Sequence, residues 1–97
     1  MTAAAAVLLA AAVGVAVVWN SHRTAERVVA TMPVDGNTQP DGFLHGGATT
    51  SLIETIASIG AALAAGWPEK VVMGQQQTCN FLSTATSGHV RGVATPV

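Results

Sequence analysis

Glu54 is the only charged side chain in the stretch Gly42–Gly66, GFLHGGATTSLIETIASIGAALAAG. A carboxylate alone among apolar residues is costly to ionise unless something compensates it. No Lys or Arg stands three or four residues away on either side. Thr50, Ser51, Ala57 and Ser58 do, and the hydroxyls of Thr50, Ser51 and Ser58 can donate hydrogen bonds but no charge. A carboxyl held away from water becomes a stronger base, so the position suits proton abstraction. The same pattern also describes a Glu that reaches a gap in the wall and meets water. Upstream, His45-Gly46-Gly47 offers a second chemical group. If a helix begins there, its first backbone N–H groups are free and its positive dipole end faces outward. Glycines let a carbonyl oxygen approach those N–H groups closely, which makes an oxyanion hole for acyl transfer. A Gly-Gly turn used only for tight packing has the same sequence.

These groups need a helix to hold them. Leu52, Ile56, Ile59 and Leu63 recur at helical spacing and share one face, while the other faces are mostly Ala and Gly. A helix apolar almost all round is expected to be buried. The expected span is Gly47–Ala65, with His45-Gly46-Gly47 bending the chain in and Gly66-Trp67-Pro68 ending it.

The rest of the chain reads as strands and turns. The apolar run Ala3–Trp19 is Ala-rich to Ala12 and Val-rich from Val13, which predicts a short helix and then a strand at about 15–20. The run approaches the length of a membrane span, but it has no basic residues before it and Ala is a weak membrane residue. Ser21–Glu26 is a turn, and Arg27–Val34 is a second strand forming a hairpin with the first. Asp35–Gly42, DGNTQPDG, is turn chemistry throughout. A third strand is expected over Lys70–Phe81, with Val71, Met73 and Gln75 on one face. Thr84–Gly88 is a turn, and His89–Val97 begins a fourth strand.

Composition bounds the function. Ninety-seven residues make one domain, 1–97. A net charge of −1 provides no electrostatic footprint for nucleic acid or acidic lipid. Charged residues are 9% of the chain against 49% apolar, so much of the surface is expected to be hidden against partners. Cys79 stands alone, which allows no internal disulfide and fits a reducing, cytoplasmic setting. One Cys and three scattered His residues show no metal-ligand spacing, so no metal is expected.

The segment LHGGATTSLIETIAS strongly resembles the hotdog-fold acyl-CoA thioesterases. The branch is the phenylacetate-type one that includes hydroxybenzoyl-CoA thioesterase and 1,4-dihydroxy-2-naphthoyl-CoA hydrolase. ATMPVDGNTQPDGFLHGGA fits the same branch, and the resemblance runs from about Val13 to the last residue without a gap. The specific signal is Gln39, HGG six residues on, Glu nine after the His, and Ser four after that. The resemblance implies an α+β hotdog, an antiparallel sheet wrapped around one long central helix. Relatives continue with two further strands after His89–Val97, so an incomplete sheet is expected.

It also implies roles. Gly46 would donate its N–H to the thioester oxygen. Glu54 would be the nucleophile or the general base for water, and Ser58 would hold that water or orient the carboxylate. Gln39 would bond near the thioester. His45 would orient the loop or the acyl group, or simply cap the helix. Gly47, Asn80 and Phe81 would border the substrate, with Phe81 standing where relatives carry a His. Phe cannot hydrogen-bond to a ring hydroxyl, which weakens the case for a hydroxyaromatic acyl group. Coenzyme A would be part of the substrate, and no separate cofactor is implied. The branch points to aromatic or hydroxyaromatic acyl-CoA, as in menaquinone or aromatic metabolism.

Glu54 lies eight residues from Gly46, about 12 Å along a helix axis, beyond the reach of its side chain. Two helices packed antiparallel about a two-fold axis would bring Glu54 of one chain to Gly46 of the other. The resemblance implies the same shared site, in a homodimer or a dimer of dimers. The alternatives are an inactive hotdog protein serving only for oligomerisation or acyl-CoA binding, and a small membrane-anchored protein.

Overall fold

The computed structural model describes residues 5–11 and 14–97. Strands β1 (Ala5–Ala11), β2 (Gly14–Arg23) and β3 (Val28–Pro33) precede helix α1 (Gly46–Ala65), and β4 (His89–Ala94) follows it. The four strands form one sheet in the order β1-β2-β3-β4, and every neighbouring pair is antiparallel. α1 packs on this sheet, against β3 and β4 above all. This is the α+β, helix-on-sheet arrangement that the resemblance implies.

The core lies between α1 and the two strands beneath it. Val28, Ala30 and Met32 alternate along β3 and meet Leu52 and Ile56 of the helix, all buried. Ile59 packs against this cluster, as do Val90 and Ala94 of β4. Leu52, Ile56 and Ile59 of the expected helix face therefore meet the sheet, while Leu63, half-buried, lies outside this cluster. Gly92, between Val90 and Ala94, shows how closely helix and sheet approach. A Cβ there would stand 2.8 Å from Ile56 Cδ1 and 3.3 Å from Leu52.

Both helix ends have a local cause. The His45 side chain accepts from the Gly47 N–H at the start. At the other end Gly66 adopts φ 99°, a left-handed conformation open to glycine, and the N–H groups of Gly66 and Trp67 reach the Ala62 carbonyl. Asn37, itself buried, ties the preceding loop together. Its Nδ2 donates to the Pro33 carbonyl and its own carbonyl receives the His45 N–H.

Four expectations are corrected. The Ala-rich segment is strand β1 rather than a helix, because it pairs with β2 from Ala5↔Asn20 to Ala11↔Gly14 and pairing overrides Ala's helix propensity. Residues 3, 4, 12 and 13 of that apolar run lie outside the described residues. The third strand does not form, and residues 71–85 carry no regular secondary structure. Their polar groups bond to the helix and the entry loop, where a strand would need a neighbouring edge. The fourth strand ends at Ala94 rather than Val97. Finally, α1 is not buried all round: only Leu52, Thr55 and Ile56 are fully buried, because the sheet covers one side. The helix is long and apolar enough to cross a membrane by length and composition, yet its apolar stripe is the floor of this core.

Candidate active site

The side of α1 turned away from the sheet carries Glu54, which is exposed in the single chain. Of the two readings open for Glu54, this is the one in which the side chain meets water, because the sheet covers only the other side of α1. Ser58 Oγ, one turn further on, donates a 2.9 Å hydrogen bond to Glu54 Oε1. One carboxylate oxygen is thereby oriented by its own helix.

Residues 71–85 run across this side as a strap, antiparallel to the first half of α1. Gly74 lies against the Glu54 carboxylate, so close that a Cβ at that position would collide with Oε1. Gln77 Nε2 donates to the Thr50 carbonyl at 3.1 Å. The Phe81 ring rests on Gly46, and a Cβ there would meet its Cζ at 3.3 Å. Ala85 then closes the strap by accepting from the Leu44 N–H at 2.8 Å. Between strap and helix is a hollow of about 200 Å³ that holds Glu54 and Ser58 with Ile53, Val72, Met73 and Gln77 among its walls.

At the helix start the backbone donors are partly engaged. The Gly47 N–H goes to His45 Nδ1 at 2.8 Å, and Ala48 and Thr49 donate to the His45 carbonyl. The Gly46 N–H takes part in none of these bonds. It stands at the positive end of a 20-residue helix, as a donor for a developing oxyanion requires. Gly46 and Glu54 lie on one helix about 12 Å apart. The single chain does not bring them together.

The other expected residues fall into place individually. Gln39 is exposed, and its backbone bonds run to Phe43 and Gly42 within its own loop. His45 is the helix cap, one of the readings open to it. Asn80 is exposed beside Phe81 at the far end of the strap. The contacts of Gly74 and Gln77 were not anticipated. A glycine inside an apparent strand was the available signal, since it marks a place where another group comes close.

Residues 41–97, which contain the helix, the strap and β4, match the family model described as Thioesterase superfamily. The chain belongs to the Thioesterase superfamily. Its helix-on-sheet fold is the hotdog, and the stretch matched includes Gly46, Glu54 and Ser58. Among curated relatives, "Putative esterase ComA2" of Bacillus subtilis is 44% identical over 87 residues, 89% of this chain and 67% of its own length. The 1,4-dihydroxy-2-naphthoyl-CoA hydrolase of Escherichia coli is 43% identical over 77 residues, 78% of this chain and 56% of its own. The proofreading thioesterase EntH of Cronobacter sakazakii is 41% identical over 69 residues, 70% of this chain and 50% of its own. The chain thus spans about half to two thirds of the length of these superfamily members. No solved structure matches the chain.

Proposed function

We propose that this protein hydrolyses acyl-CoA thioesters, with Glu54 as the catalytic carboxylate. The observation that carries the reading is the Ser58–Glu54 hydrogen bond inside a walled hollow, on a chain of the Thioesterase superfamily. Glu54 either takes a proton from water, which adds to the thioester carbon, or adds to that carbon itself, expelling the thiol and forming an anhydride that water then cleaves. Coenzyme A leaves as the thiol and the acyl group leaves as the acid. No metal or further cofactor enters this scheme, and the expected setting is the cytoplasm.

The second element of the proposal is a site shared between two chains. The Gly46 N–H is the donor for the thioester oxygen, and its distance from Glu54 along α1 requires the helix of a second copy. The strap supports this reading, since Val71, Met73 and Leu82 are 75%, 82% and 93% exposed. Apolar side chains so placed call for cover. An aromatic acyl group is the preferred substrate, on the likeness to a protein named for a naphthoyl-CoA. Gln39 lies on the loop that leads to the thioester end, and Gly47 and Asn80 border it.

One observation favours a non-catalytic acyl-CoA-binding module instead: the Phe81 ring lies over Gly46. Thiol release from a panel of acyl-CoAs separates the two readings. Turnover that disappears in Glu54→Gln supports the hydrolase, and binding without turnover in the unaltered chain supports the module.

A further inference from the structure

Ser58 and Val72 line a second hollow besides the one that holds Glu54. The two therefore adjoin along α1, with Ser58 and Val72 as their shared wall. The second measures about 320 Å³ and is walled by Ile59, Ala62, Leu63, Trp67 and Val71, with Arg23 as its single charged side chain. Arg23 is half-buried, and its Nε is buried with no hydrogen-bond partner. A guanidinium stays charged at any physiological pH, and a buried N–H left unpaired is costly.

The position of Arg23 is set by an irregularity in the sheet. β2 and β3 pair as Trp19↔Thr31 and Asn20↔Ala30, and the register then shifts before His22↔Val29 and Arg23↔Val28. Paired residues of antiparallel strands share a face, and Val28 belongs to the face that meets the helix. In an unbroken register Arg23 would take the opposite face. The shift turns it toward α1, the kind of re-aiming that bulges beside functional sites perform.

We propose that Arg23 is a specificity-determining residue for the acyl group. It would receive an acceptor oxygen carried on the end of the acyl group remote from the thioester, and a carboxylate better than a neutral hydroxyl. The thioester carbon sits at Glu54, the apolar body of the acyl group lies along Ile59, Leu63 and Trp67, and its distal oxygen meets the Arg23 guanidinium at the wall of the second hollow. A charged acceptor is favoured because charge-assisted bonds to guanidinium are shorter and stronger than neutral ones. The assignment rests on the thioester site proposed above for the location of the reacting carbon.

The test uses benzoyl-CoA, 4-hydroxybenzoyl-CoA and 4-carboxybenzoyl-CoA, read both as thiol release and as equilibrium binding to the full chain carrying Glu54→Gln. Affinity is expected to rise from benzoyl to hydroxybenzoyl to carboxybenzoyl, by about ten-fold or more over the series. Arg23→Met should bring the carboxybenzoyl-to-benzoyl ratio down to about one, and Arg23→Lys should keep part of it. Equal affinities in the chain with Arg23 intact overturn the proposal whatever the variants do. A ratio unchanged in Arg23→Met or Arg23→Lys overturns it as well. Selective binding with no thiol release from the unaltered chain leaves Arg23 supported and sinks the hydrolase reading alone.

Discussion

Ser58 Oγ stands 2.9 Å from Glu54 Oε1, one helical turn away on the exposed side of α1. The bond orients one carboxylate oxygen while the Glu54 side chain remains open to a substrate or a water. If Glu54 is the base or nucleophile, Glu54→Gln keeps its shape and removes its charge. Turnover should fall by at least about 10²–10⁴-fold, with acyl-CoA affinity nearly retained. Ser58→Ala should cost less, because it releases the carboxylate without removing it. Thiol release under saturating acyl-CoA measures both, and a fully active Glu54→Gln would refute the assignment.

The separation of Gly46 and Glu54 along one helix makes a prediction about assembly. The protein should sediment as a dimer or larger at micromolar concentration. Chains bearing Glu54→Gln, mixed with chains bearing Gly46→Val, should regain activity that neither has alone. In a mixed dimer one site has both residues intact and the other has neither. Mixed dimers shown by mass to form, yet inactive, would exclude the two-chain site.

His45 holds the start of the helix through the Gly47 N–H. His45→Ala should lower stability by about 1 kcal/mol, the usual cost of a lost cap, while His45→Asn should restore most of it. Thermal unfolding of the three chains reads the effect as a shift of about 4–8 °C. Activity that follows stability across the series identifies His45 as a cap. Activity that stays low in His45→Asn assigns it a part in the site.

Gly92 lies where β4 passes under Leu52 and Ile56. Gly92→Val should destabilise the fold by about 1–3 kcal/mol through overpacking, because the neighbouring side chains are already buried. Denaturant unfolding with an unchanged slope and a lower midpoint is the expected result. A midpoint equal to that of the unaltered chain would show that helix and sheet can separate at low cost.

Much of this was legible in the residues alone. Leu52, Ile56 and Ile59 recur at helical spacing, and the structure places them against β3 as that spacing requires. Glycines at 46, 47 and 66 mark the helix ends, because Phe81 and His45 pack closely on the first two and the last adopts a left-handed conformation. Glu54 and Ser58 are one turn apart in any helix, so their hydrogen bond was implicit in four residues of sequence.

Tertiary structure decided the rest, for reasons that local pattern does not contain. Whether residues 71–85 form a strand depends on a neighbouring edge, and here their bonds go to Thr50 and Leu44 instead. Whether Ala5–Ala11 coils or extends depends on a partner strand, and β2 supplies one. The exposure of Glu54 depends on how much of α1 a four-stranded sheet can cover. Arg23 turns toward the helix only because the register slips by one residue between Asn20 and His22. A period of two along a strand reverses every side chain at such a slip, and no local pattern in the sequence marks where it falls.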